Sequence, residues 1–510
     1  MNYKKIIYIA FAGTLLLGSC NKEFLGQANP NAIPTADYFQ TPNDVMLAVN
    51  GAYETLRNNN GMAEGSGLFS EERSDNTGRN DNQSNNGEPF QFNNFSILPS
   101  NTFLQSHWNA LYNIVNAANY ALAGTEIVNF TNQEEKVNYA AQAKFIRALA
   151  YFDLVRQWGP IPVVTSPVKS IDEAMKANSR VGLDSVYAQI VADLKDVTKS
   201  GLPKLQNPSG VGHASLAAAN ALLGKVYLTM AAQLGAEHKT ENLNNALTYL
   251  NAAYDMRGFD KLSSISYESV FDVNQKTTNP ELLFQIEYKQ GDINYSSRIA
   301  ANNQAKGETI NSRKPSSNVG GNVTKDLVND YEVGDKRKDF SVKFANDNSV
   351  NDWFITKFRD TSALAGENGY GGNDWILLRY ADVILMLAEA NNELGNTLTA
   401  IGFLDEVRKR AGLPDYKTSS EKADYSSKYP TLKLAILHER RVELAFENQR
   451  LYDLQRSFTP EEFVAFFKAK KQADYGSAQL SNCGIKDYYY PIPFNDYNLN
   501  PTGMYQNTGY

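Results

Sequence analysis

Arg73, Asp75, Asn76 and Arg79 place two guanidinium groups, a carboxylate and an amide close together in the stretch 70–86. Tyr295 and Arg298 stand in a second polar stretch, 290–322, and Trp353 and Tyr370 in a third, 346–373. Aromatic faces pack against the C–H groups of a pyranose ring, while fixed amides, carboxylates and guanidinium groups reach its hydroxyls. Together these positions form a candidate saccharide site. Asp75 and Asp81, set among asparagines, could hold Ca²⁺, but their spacing misses the calcium-loop pattern and no metal is expected.

Catalytic chemistry is poorly supplied. His107, His213, His238 and His438 are scattered, with no H-E-x-x-H and no Cys/His cluster. There is no G-x-S-x-G and no phosphate-cradling glycine loop. Carboxylates are plentiful, but nothing in their spacing sets two of them across a glycosidic bond. The expectation is a binding protein without a cofactor, not an enzyme.

The elements that must position these residues are mostly helical. Residues 43–57 carry Val45, Ala48, Val49, Ala52 and Leu56 at helical spacing. Trp108, Leu111, Tyr112 and Val115 line a face of 105–122. A third helix, 134–157, has Ala143, Ile146, Ala150 and Leu154 on one side, and Gly159 and Pro160 end it. Another is expected over 376–394. Leu223-Gly224-x-x-Tyr227, followed by Ala246-x-x-x-Leu250-x-x-Ala253, has the spacing of a tetratricopeptide helix pair, and Ala400-x-x-x-Leu404-x-x-Val407 repeats its second half. The fold class is therefore mainly α: a tetratricopeptide-like helical repeat scaffold, with long irregular loops forming a ligand-binding face. Glu439, Arg440, Arg441, Glu443 and Glu447 lie on a helix where i, i+4 partners can pair, and with Arg379 and Asp382 they are expected to form buried or half-buried ion pairs that lock helices; Trp108 and Trp158 are expected in the core.

The start of the chain reads as an address. Lys4 and Lys5 precede the short apolar stretch 6–17, which is too short to span a bilayer, and Leu17-Gly18-Ser19-Cys20 follows. This is a lipoprotein signal: cleavage leaves Cys20 as an acylated N-terminus. Net charge is −7, and −9 without the two leader lysines, with no basic cluster, so nucleic acid is an unexpected partner. Cys483 has no cysteine left to pair with and is read as a spectator thiol.

Further motifs run along most of the chain. They include Asp37-Tyr38-Phe39, Ala48-Val49-Asn50-Gly51-Ala52-Tyr53, Lys144-Phe145-Ile146-Arg147-Ala148 and Trp158-Gly159-x-Ile161-Pro162. Later come Leu378-Arg379-Tyr380-Ala381-Asp382, Arg408-x-Arg410-Ala411-Gly412-Leu413, Glu439-Arg440-Arg441-x-Glu443-Leu444, Arg450-x-Tyr452-Asp453-Leu454 and Pro491-Ile492-Pro493. In this order they resemble the SusD/RagB family of outer-membrane nutrient-binding lipoproteins, and Glu23 resembles that family's surface-export signal. The resemblance implies four tetratricopeptide-like units, a SusC-like TonB-dependent transporter as partner, and oligosaccharide or sometimes peptide ligands, without catalysis.

The resulting expectation is a lipid-anchored outer-membrane protein, facing outward, that captures oligosaccharides and delivers them to such a transporter. Alternatives are capture of peptides or glycopeptides, a helical adaptor that binds only protein, and a surface hydrolase. The expected organisation is a signal peptide at 1–19, a tether at 20–40 and one domain at 41–510. Its scaffold lies mainly in 41–58, 105–260 and 376–457, and its loop-rich part in 60–100, 275–375 and 458–510.

Overall fold

The computed structural model describes residues 38–78, 84–303, 322–347, 350–366, 369–476 and 478–510. The signal peptide, Cys20, Glu23, almost all of the tether, Arg79 and Asp81 lie outside the described residues.

The longer helices are α1 (Pro42–Thr55), α2 (Thr102–Ile127), α3 (Gln133–Trp158), α4 (Leu183–Thr198), α5 (Leu216–Gln233), α6 (Ala236–Asp255), α7 (Tyr380–Glu393), α8 (Thr397–Ala411), α9 (Leu432–Glu443), α10 (Arg450–Ser457) and α11 (Pro460–Lys468). From α1 to α6 each packs on the next, α6 continues onto α7, and α7 carries α8 and α9. Local chemistry sets their ends. Asn101, Asn132 and Ser215 cap α2, α3 and α5 through side chains that accept from first-turn N–H groups. Gly159 takes φ +72 after α3, and Gly412 closes α8 in the left-handed region. The principal core holds Trp108, Phe145, Trp158, Leu223 and Leu250 among many others. Among the described residues, no helix is long and apolar enough to cross a membrane.

Gly224 explains why the Leu-Gly-x-x-Tyr spacing matters. A Cβ at this position would lie 2.5 Å from Leu250 Cγ and 3.1 Å from the Leu250 backbone nitrogen. The α5–α6 crossing therefore tolerates no side chain here. Gly224→Ala is expected to destabilise by about 1–3 kcal/mol through overpacking, although Ala is the better helix former by about 1 kcal/mol. Denaturant unfolding of the variant would show an unchanged or higher midpoint if the crossing were looser than this.

Two segments depart from the sequence expectation. The helix expected from 376 begins only at Tyr380, because Trp375–Arg379 forms strand β6, antiparallel to β2 (Leu282–Ile286). Tyr380 N donates to Glu281 O and carries the ladder up to the helix start. Such a short apolar run has no periodicity to separate strand from helix; its long-range partner decides. The third polar stretch contains a hairpin, β4 (Val342–Asp347) with β5 (Val350–Ile355). Its sheet is completed by β3 (Asn322–Val323) and β1 (Thr77–Gly78), in the order β1-β3-β5-β4. Part of the C-terminal stretch is threaded into the helical core: Trp158 Nε1 donates to Pro491 O, Arg180 Nη1 to Tyr505 O and Asn507 Nδ2 to Trp158 O.

Candidate functional site

An open cleft of about 350 Å³ forms where the end of α1 meets the first and second polar stretches. Asn58 and Asn59 follow α1 directly and are exposed; Asn113 of α2 and Asn294 face the same hollow. Arg57 stacks on the exposed Tyr295 ring, 4.6 Å from guanidinium carbon to ring centroid, and is ion-paired with Glu54. Arg298 covers the half-buried Tyr370 ring at 4.2 Å. Two ring–guanidinium stacks thus stand at one cleft.

Glu64 joins the first stretch to the second. Its carboxylate accepts from Ser297 Oγ, from Arg298 N at 2.6 Å and from Ile299 N at 3.3 Å. Burial raises its pKa above the ordinary value, and these hydrogen bonds oppose the rise only in part. The second and third stretches are knitted by a backbone bridge, Ser297 N to Gly371 O at 2.8 Å and Gly371 N to Ser297 O at 3.0 Å. Gly291 N donates to Tyr370 O, and Asp360 accepts from Gly372 N and Gln290 Nε2. At Gly372 a Cβ would meet Gln290 Cγ at 2.2 Å, so any larger residue would displace the Gln290 side chain from Asp360. Asp374 accepts from Tyr288 N and Lys276 Nζ, each at 2.8 Å, which fixes the wall that carries the Tyr288 ring.

Ser296 Oγ and Arg57 Nε are buried and lack a hydrogen-bond partner among the described residues, while Tyr288 Oη has the Glu64 backbone N–H as its neighbour. Unsatisfied buried polar groups are uncommon and costly. Ser296 and Arg57 both line the hollow, so a small side-chain adjustment there offers hydrogen bonds to incoming hydroxyls.

The structure sorts seven of the eight expected contacts; Arg79 lies outside the described residues. Tyr295 and Arg298 are at the cleft, and Tyr370 joins them through its Arg298 stack. Trp353, on β5, is half-buried and T-shaped to Phe344, and no residue of that hairpin lines the cleft. Arg73, Asp75 and Asn76 are buried, which corrects their reading as loop contacts. Arg73 Nη2 donates to Asp487 O, and its guanidinium lies 4.4 Å from the Tyr490 ring. Asn76 bridges Glu71 and Arg441. Asp75 accepts from Arg450 Nε at 2.7 Å and Lys470 Nζ at 2.8 Å, with Arg441 beside it. Burial alone would raise its pKa, but these three cations hold it well below the carboxylate range. A polar loop is buried here because distant cations complement it, and local composition cannot show that. Arg57, Glu64, Tyr288 and Ser296 were missed by sequence reasoning. The one local signal was the polar run Asn58-Asn59-Asn60 after α1.

A sequence profile described as the SusD family matches residues 341–510, and one described as starch-binding associating with outer membrane matches 23–228. The chain belongs to the SusD/RagB family. It is 29% identical over its whole length to SusD-like protein P2 of Formosa agariphila, all of which is covered. A laminarin binding SusD-like protein superposes with TM-score 0.72 at 24% identity, covering 92% of this chain and 100% of that one. Surface glycan-binding protein A from Bacteroides thetaiotaomicron, in complex with laminarihexaose, gives 0.71 at 19% identity, covering 92% and 99%. At these identities the superpositions establish the shared, mainly helical, tetratricopeptide-like fold.

The charged motif residues form buried ion pairs that lock separate elements together, and the pairing runs between elements and not at i, i+4. Glu439, Glu443 and Glu447 do not pair along α9. Glu443 meets Arg379, Arg410 and Arg337, while Glu439 meets Arg337 and Arg408. Cys483 is buried, and its thiol is pushed up to about 12 by burial, so it is unreactive. Among the described residues, no cluster of three or more His, Cys, Asp or Glu is arranged to hold a metal.

Proposed function

We propose that this SusD-family chain is a non-catalytic glycan-capture protein, with the cleft between α1 and the loops as its saccharide site. One observation carries the reading: a cleft lined by Arg57, Asn58, Asn113, Tyr288, Ser296 and Arg298 is flanked by the guanidinium-stacked rings of Tyr295 and Tyr370. Rings supply apolar contact to sugar C–H groups, and the polar lining groups supply orientation. The binding described for the laminarin-binding relative and for the laminarihexaose complex makes β-glucan oligosaccharides the first ligands to try.

In this reading the protein is held at the outer membrane through acylated Cys20, faces outward, and passes its ligand to a SusC-like TonB-dependent transporter. The description of one matching profile as associating with the outer membrane supports that placement. Co-purification with such a transporter from detergent-solubilised outer membranes tests the partnership.

Calorimetry with laminarin oligosaccharides and a panel of other neutral and acidic glycans tests the site. Tyr288→Phe removes only the hydroxyl. It is expected to weaken glycan affinity about three- to tenfold, the worth of one hydrogen bond, with stability lowered by no more than about 1 kcal/mol. Saturable binding that Tyr288→Phe and Arg298→Ala both leave intact would move the site elsewhere, and turnover of a glycan would replace binding with hydrolysis.

A further inference from the structure

A second cavity, of about 70 Å³, shares no lining residue with the loop cleft. It opens where α5, α6, α7, α9 and α10 meet. Lys433, Ile436, Leu437 and Arg440 recur at helical spacing and put two apolar residues and two cations of α9 on it. Lys239, Arg456, Glu389 and Glu393 complete the polar part of the lining, and Asp382 and Asp453 behind it also pair with Arg440 and Arg456.

Those carboxylates are unevenly used. Arg456 grips Glu389 with two hydrogen bonds, at 2.7 and 2.8 Å. Lys239 Nζ donates to Glu393 at 2.6 Å, which leaves Lys433 Nζ no closer than 3.8 Å to the same group. Arg440 is 1% exposed. Its Nη2 serves Asp382 and Asp453, at 2.8 and 2.9 Å, but Nε and Nη1 have no hydrogen-bond partner among the described residues. A buried guanidinium with Nη1 unbonded and Nε only 3.9 Å from Glu389, beside a loosely held ammonium and an apolar wall, has the makings of a carboxylate seat.

We propose that this pocket binds a short aliphatic carboxylate, the charged end between Lys433 and Arg440 and the hydrocarbon end against Ile436 and Leu437. By the volume that a buried water requires, the cavity holds about five water-sized groups, which suits an acid the size of butyrate. The same chemistry could come from a free acid or from the terminus of a peptide.

Sodium butyrate titrated into the full chain, with butyramide as the uncharged isostere, is the test, read by ligand-observed NMR and calorimetry. Saturable binding of butyrate and not of butyramide is expected. The double variant Lys239→Met/Lys433→Met, at two side chains each more than 40% exposed, is expected to weaken it about tenfold or more. Its glycan affinity should equal that of the parent. The tripeptide Ala-Ala-Val and its C-terminal amide form the second arm: saturable binding of the free acid alone supports the seat and assigns it to a chain terminus. The proposal falls if neither acid binds, if butyramide or the amide binds equally, or if the double variant binds like the parent.

Discussion

Arg379→Ala is expected to cost about 3–5 kcal/mol of stability, because it strands buried carboxylates without their cation. Arg379 is 1% exposed and uses its whole guanidinium. Nη1 donates to Glu281 at 2.8 Å and Glu443 at 2.6 Å, Nε and Nη2 each donate to Glu447 at 2.7 Å, and Nη2 also reaches Glu443 O. Burial alone would raise the pKa of Glu443, but Arg410, Arg379 and Arg337 hold it well below the ordinary range. Removing Arg379 turns the burial of Glu281, Glu443 and Glu447 into an uncompensated cost. The cluster ties β6, α8, α9 and the segment after α9 together, so the loss is global. Arg379→Lys is expected to recover only part of it, since an ammonium cannot make the two-pronged contact. Denaturant unfolding of both variants is the measurement, and a loss below about 1 kcal/mol for Arg379→Ala would mean that solvent screens the cluster as it screens surface pairs.

Glu64→Ala is expected to have the largest effect on ligand binding. The carboxylate organises the turn 297–299 by accepting from Ser297 Oγ, Arg298 N and Ile299 N, and that turn presents Arg298 and Ser296 to the cleft. Hydrogen bonds to a charged group are worth about 1.5–3 kcal/mol, so a ten- to hundredfold loss of glycan affinity is expected. The fold should survive, because the rest of the loop is held independently by the Ser297–Gly371 bridge.

Glu64 also predicts a pH dependence. Burial raises its pKa, so the carboxyl takes up its proton at a higher pH than an ordinary glutamate does. Once protonated, one of its oxygens becomes a donor and the turn loses acceptor capacity. Glycan affinity should therefore be full above that range and fall as pH drops through it. For stability the sign is opposite: a carboxyl with a raised folded-state pKa contributes more, not less, as the solution is acidified. Glu64→Gln keeps one acceptor and cannot titrate. It is expected to bind more weakly than the parent at neutral pH and to show a flat profile; a variant profile as steep as the parent's would assign the titration to another group.

What the chain alone determined is what depends on near neighbours in sequence. Helical periodicity located α1, α2 and α3 to within a few residues, and Gly159 marked the end of α3. The spacing around Gly224 showed that two helices must come close. The order of motifs led to the family, and the glycine- and asparagine-rich stretches led to Tyr295, Arg298 and Tyr370. Tertiary structure alone decided which polar residues face solvent. Asp75 and Arg298 look alike in sequence, a charged side chain in a polar loop, yet Arg441, Arg450 and Lys470 enclose the first while the second lines the cleft. Trp375–Arg379 became a strand only because Leu282–Ile286 lay alongside it. The physical reason is common to both cases. The free energy of burying a charge or extending an apolar run depends on partners up to hundreds of residues away, so local composition carries no record of the outcome.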